Sequence, residues 1–145
     1  MTHKSALYYS VCVLFIFTVL SLPIYAGEVI TLTNKADITH AYNVNTAMAN
    51  LSSKVMECID NNGGEAKGCT CTNRVSCPFK KEYDYFTKTF CHAVSVNPDW
   101  KNENVFYQYQ ENGESVAHNL ASSTIYRHLK KTALNKASRT SFQCV

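Results

Sequence analysis

Six cysteines between positions 58 and 144 constrain the fold of this chain more than any other feature of its sequence. They are Cys58, Cys69, Cys71, Cys77, Cys91 and Cys144. A seventh cysteine, Cys12, lies in an apolar run at the N-terminus. An even number of cysteines in an exported chain is typical of a disulfide framework, whereas cysteines in the cytosol favour metal or redox sites. The N-terminal run therefore decides how the cysteines are interpreted.

That N-terminal run has the parts of a secretory signal peptide. Lys4 gives a basic start, and an apolar stretch follows from Ala6 to Ala26 and ends on that small residue. Pro23 breaks the helix just before the predicted cleavage site. The alternative is an uncleaved membrane anchor, but the run from Ala6 to Leu22 before the break is only 17 residues long, at the lower limit for crossing a bilayer. We expect a signal peptide at 1–26, no anchor after cleavage, and a secreted or periplasmic product.

The cysteine spacing favours disulfides over a metal or redox site. One residue separates Cys69 from Cys71, and five separate Cys71 from Cys77, whereas zinc, thioredoxin-like and haem sites use other spacings, most often Cys-x-x-Cys. Cys69 and Cys71 are also too close in sequence to bond to each other without strain. We therefore expect three disulfides, no metal ion and no cofactor, with several connectivities open. In one of these connectivities Cys58 bonds directly to Cys91, and a cysteine of the loop bonds to Cys144.

Two apolar stripes predict the main helices. The first contains Ile38, Ala41, Tyr42, Val44, Met48, Leu51, Val55, Met56 and Ile59, and the second contains Phe79, Tyr83, Phe86, Phe90 and Val94. Most steps within each stripe are three or four residues, which is the period of one face of an α-helix. We expect the first helix to have Asp37 as its N-cap and to end at Gly63 or Gly64. The second starts at Pro78 and ends before Pro98.

The sequence from Asn104 to Leu120 predicts a β-hairpin. The segment "NVFYQYQ" alternates with the period of a strand, and Asn112–Gly113 is a preferred hairpin turn. A lone hairpin is marginal in water, so we expect a third strand from "EVITLT" at 28–33. A weaker helix with a serine cap follows. The fold class is thus α+β: a small disulfide-stapled domain over 27–145, with two main amphipathic helices, a weaker C-terminal helix and an antiparallel β-hairpin or small sheet.

No motif in the chain marks a catalytic site. The sequence lacks the Gly-x-Ser-x-Gly elbow, the His-Glu-x-x-His zinc motif and the phosphate-binding loop. An isolated histidine such as His118 defines a general base only when its geometry supports that role. Lys and Arg number 14 against 11 Asp and Glu, a balance unlike that of a nucleic-acid-binding protein. We expect a protein without catalytic activity that does not bind nucleic acid.

Two groups of residues are candidates for a contact surface. They are Phe106, Tyr107 and Tyr109 in the predicted hairpin and Arg127, Lys130 and Lys131 in the C-terminal helix. The aromatic residues occupy both faces of the hairpin, so one face leaves an aromatic side chain exposed unless both are covered. The basic run is typical of a solvated helix face, and it also suits an acidic partner. We expect the partner to be another protein or an anionic envelope surface.

An exported chain with a long amphipathic helix, a disulfide and a later antiparallel hairpin is similar in architecture to pilin-like subunits. In that family the anchor helix continues without a break, whereas Pro23 and "TLTNKAD" interrupt it here. No residue role follows from this resemblance. The sequence therefore predicts an exported, disulfide-stabilised binding or interaction protein. The alternatives are a small secreted hydrolase whose site no motif marks, and an envelope assembly subunit of the pilin-like kind.

Overall fold

The computed structural model describes residues 28–134 and Cys144 of the chain. The described residues form three α-helices and a three-stranded mixed sheet. The elements are β1 (Val29–Thr31), α1 (Lys35–Asn61), α2 (Lys80–Val96), a 3₁₀ turn (Pro98–Lys101), β2 (Asn104–Glu111), β3 (Glu114–Leu120) and α3 (Ser122–Leu134). This confirms the predicted α+β class with its two main helices, C-terminal helix and hairpin. The predicted signal peptide, residues 1–26, lies outside the described residues.

Helix α1 begins earlier than the sequence predicts. Asn34 has an extended backbone, and its Oδ1 accepts a hydrogen bond from the N–H of Ala36 at 2.8 Å. The prediction of Asp37 as N-cap is wrong, because Asn34 supplies the capping acceptor first. Asp37 instead lies in the first turn, where a negative charge is favourable to the helix dipole. The other end agrees with the prediction, since Gly63 and Gly64 follow the helix with φ of 68° and 93°.

Three disulfides staple the described residues. They join Cys58 to Cys69, Cys71 to Cys77, and Cys91 to Cys144. The predicted disulfide framework is confirmed, but the predicted bridges from Cys58 to Cys91 and from a loop cysteine to Cys144 are wrong, because Cys58 bonds to Cys69 and Cys144 bonds to Cys91. The rings of His40 on α1 and His92 on α2 lie side by side, and Cys58 lies 18 residues beyond His40, about 27 Å along the helix axis. Cys58 and Cys91 are therefore at opposite ends of the helix pair.

The loop between α1 and α2 folds back on itself before α2 starts. The N–H of Cys77 donates to the C=O of Asn73 at 3.0 Å, so Cys77 belongs to a turn of the loop. For this reason α2 begins at Lys80, slightly later than predicted. The guanidinium of Arg74 donates two hydrogen bonds to the Asp84 carboxylate, at 2.6 and 2.9 Å. This bidentate pair holds the loop against α2.

The sheet has the order β1-β2-β3. Strands β2 and β3 pair antiparallel around Asn112 and Gly113, whose φ values are 52° and 85°, as a tight hairpin turn requires. Strand β1 pairs with β2 in parallel, and Ile30 lies opposite Val105. The predicted hairpin and its third strand are both confirmed. The parallel pairing needs a long crossover connection, which the chain provides through α1 and α2 between the two strands.

The inner face of the sheet packs against the helices, whereas the outer face meets α3 at Asn104, whose Oδ1 accepts a hydrogen bond from the Ser123 hydroxyl at 2.9 Å. Inner-face residues are Ile30, Val105, Tyr107, Tyr109, Glu111, Glu114, Val116, His118 and Leu120. The core combines this face with the α1 and α2 stripes and with Leu129 of α3, and Trp100, Tyr107 and Phe90 are its largest fully buried side chains. No helix within residues 28–134 is long and apolar enough to cross a membrane.

Candidate functional site

Tyr107 points into the core, although it was a candidate contact residue. Its side chain is 0% exposed, and its hydroxyl accepts a hydrogen bond from Nδ2 of Asn45 on α1 at 2.7 Å. Burial raises the pKa of Tyr107 to about 12, although the hydrogen bond from Asn45 acts in the opposite direction. Because its side chain is on the inner face, Tyr107 does not contribute to a contact surface. The expectation is therefore corrected for this residue.

Tyr109 is half-buried two positions further along the same face. Its ring stacks on that of Tyr42 from α1, with centroids 3.7 Å apart and planes inclined by 8°. Stacking of this kind covers one side of each ring. Tyr109 thus belongs mainly to the packing between the hairpin and α1, with one part of its side chain left accessible.

Phe106 lies on the opposite side of β2, which we call the outer face of the sheet. The outer face consists of Val29, Thr31, Asn104, Phe106, Gln108, Gln110, Ser115, Ala117 and Asn119. None of these side chains is charged. All of them are exposed except those of Asn104 and Phe106, which are half-buried. The outer face is therefore a neutral, amide-rich surface around one phenylalanine.

The candidate basic residues of α3 face solvent. Arg127, Lys130 and Lys131 are all exposed, and their spacing of three and four places them along one side of the helix. The Nε atom of Arg127 donates to the C=O of Ser123 within the helix at 3.3 Å. This arrangement agrees with a solvated helix face, and it leaves both lysine side chains available to an acidic partner.

Among the described residues, His118 and Glu111 are the pair of titratable side chains that most resembles a catalytic acid–base pair. Nε2 of His118 lies 3.0 Å from Oε1 of Glu111, without the angles of a hydrogen bond. The imidazole is stacked on Tyr107, with centroids 5.2 Å apart, and Tyr42 contacts it edge-on. Because Nε2 has no solvent-accessible surface, a substrate cannot reach it in this conformation. In this conformation the pair packs the hairpin against α1.

A metal centre built from three or more ligands is absent from the part of the chain that the structure describes. No group of three His, Cys, Asp or Glu side chains there is arranged to hold an ion. His128 of α3 has its Nε2 atom 3.0 Å from the C=O of Thr72 in the loop between α1 and α2. It therefore ties α3 to the cysteine-rich loop.

Sequence reasoning identified Phe106 but missed the neutral surface around it. Gln108 and Gln110 share its alternation along β2, and this signal was readable. Val29, Thr31 and Ala117 join them only through the strand register, which sequence does not specify for β1.

Comparisons of this chain with protein-family models, with curated proteins and with solved structures find no match. Its function is therefore argued from its own residues.

Proposed function

We propose that this chain is an exported, disulfide-stabilised binding protein without catalytic activity, and that it contacts another protein through the outer face of its sheet. The observation that carries the proposal is the absence of charge from that face. The chain has 14 Lys and Arg and 11 Asp and Glu, yet none of the side chains around Phe106 is one of them.

Depletion of charged residues and the presence of an aromatic side chain are two features of the core of a protein interface. A charged side chain buried by a partner must lose its hydration, whereas an amide exchanges water for a hydrogen bond of similar strength. Gln108 and Gln110 are exposed neighbours of Phe106 along the strand, and they carry both donors and acceptors. A polypeptide partner offers the backbone N–H and C=O groups that such amides pair with.

Export is supported by the oxidised cysteines. Three disulfides within the described residues are typical of proteins that mature outside the reducing cytosol. The signal-like N-terminus is the second support. The basic side of α3, with Arg127, Lys130 and Lys131, provides a secondary contact when the partner is acidic.

A photo-cross-linking amino acid placed at one of two positions tests the proposal in the organism that produces the protein. Gln108 represents the outer face, and Asn43, an exposed residue of α1, is the matched control because both side chains are exposed amides. We expect a covalent adduct to a distinct polypeptide from position 108 and none from position 43. An adduct to a second copy of this chain favours the assembly-subunit alternative. Equal adducts from both positions, or none from either, contradict the proposal.

A further inference from the structure

Two histidines that the contact surface does not use face each other between the main helices. His40 is half-buried on α1, and His92 is exposed on α2. Their ring centroids are 5.3 Å apart, with planes inclined by 68°. Neither imidazole has a hydrogen bond to another part of the chain that the structure describes, so their nitrogen atoms are available to a ligand.

From this geometry we propose that His40 and His92 bind one transition-metal ion of the zinc, nickel or copper type, which joins α1 to α2. Zinc bonds imidazole nitrogen at about 2.0–2.1 Å with tetrahedral angles, which places two bound rings with centroids about 5 Å apart. The observed separation matches that value. Imidazole is also the side chain that these ions prefer over the hard cations Mg²⁺ and Ca²⁺.

The packed backbones of α1 and α2 fix the distance between the two histidines. Ala41 and Val44, which come soon after His40 in sequence, belong to the core, as do Ala93 and Val94 after His92. Rotation of an imidazole about its Cβ–Cγ bond is soft, because that torsion is broad and roughly two-fold. Each ring can therefore turn a nitrogen towards a shared ion while the helices that carry it stay in place.

Two protein ligands leave part of the coordination sphere to water. A tetrahedral ion with two imidazoles keeps two positions open, as catalytic zinc sites keep one. The charged residues one turn before each histidine are Asp37 on α1 and Lys88 on α2. Their opposite signs keep the neighbourhood close to neutral, so affinity comes from chelation between two helices and not from a charged pocket.

Titration calorimetry of the oxidised protein with Zn²⁺ tests the site. We expect one ion per chain, and about tenfold or greater loss of affinity in His40→Ala and in His92→Ala, because each removes half of a chelate. The double variant, which retains neither ligand, is expected to bind Zn²⁺ no more tightly than the weaker single variant. His128→Ala, which removes a histidine from α3, is the matched control and retains wild-type affinity.

Circular dichroism of each variant establishes that it is folded, and exposed His92 is the safer of the two substitutions. A second readout is the unfolding temperature, which Zn²⁺ raises in the wild type and not in the His92→Ala variant. The proposal is overturned by unchanged affinity in either single variant, or by two independent ions of which each variant loses one. Neither result bears on the outer face of the sheet, so the site and the proposed function are tested separately.

Discussion

At Asn45 one amide group connects the hairpin to α1. Its Nδ2 atom donates to the Tyr107 hydroxyl at 2.7 Å and to the C=O of Asn119 at 3.2 Å. The first acceptor is in the core, and the second is a main-chain group of the edge strand β3. A buried hydroxyl without a partner destabilises a fold by about 1–3 kcal/mol, so this amide is needed where the phenol is buried.

The buried phenol makes a prediction about alkaline pH. Burial raises the pKa of Tyr107 from 10.0 to about 12, so folding favours its neutral form. Its contribution to stability is complete below pH 10 and is lost as the pH rises through about 12. Titration of phenolate absorbance is expected to show a late component that disappears in Tyr107→Phe. Loss of an early component instead, near pH 10, would show that Tyr107 is solvated.

Sequence alternation identified the strand but not the direction of each of its side chains. Phe106, Tyr107 and Tyr109 are all aromatic, so period-two patterning does not say which face of β2 is inward. The inward direction of Tyr107 accompanies its contact with Asn45, which is 62 residues away in sequence. A contact of that separation leaves no local signal.

The elements are held together by a core that the two main helices share with the inner face of the sheet, and by three disulfides. The bonded cysteines are 11, 6 and 53 residues apart, in the pairs Cys58–Cys69, Cys71–Cys77 and Cys91–Cys144. The first two close small loops around the turn between the helices. The third ties α2 to the C-terminal end of the chain, and it constrains the unfolded state most because it closes the longest loop.

Paired Cys→Ala substitutions test this ranking by urea unfolding. Loss of Cys91–Cys144 is expected to lower the free energy of unfolding by roughly 4 kcal/mol, and loss of Cys71–Cys77 by about 2–3 kcal/mol. Each pair combines one buried and one half-buried cysteine. The two variants therefore lose similar packing, and the difference between them reports the effect of the disulfide. An equal or larger effect from Cys71–Cys77 would refute the ranking.

Helix and hairpin positions were predictable from sequence, and the pairing of cysteines was not. Apolar stripes and the Asn112–Gly113 turn are local signals. Which cysteine is near which depends on the antiparallel arrangement of α1 and α2, and that arrangement brings His40 to His92. A stripe defines which side of a helix is buried but not the direction in which its neighbour runs.

For the whole molecule, the three-stranded sheet separates a packed side from an open one. Helices cover its inner face, whereas the outer face around Phe106 is neutral and largely exposed. The basic residues of α3 lie on a helix that contacts the 3₁₀ turn and β2. We propose that the partner covers the outer face, where it meets uncharged amides first.

The most direct measurement of that claim is the equilibrium affinity for the cross-linked partner of three forms of the protein. They are the wild type, Gln108→Lys/Gln110→Lys on the outer face, and Asn43→Lys/Thr46→Lys on the exposed side of α1. Both double variants add the same charge to exposed positions. We predict roughly tenfold or greater weakening for the outer-face variant alone, because lysine is costly to desolvate against a neutral surface. Equal affinities for the two double variants would contradict it.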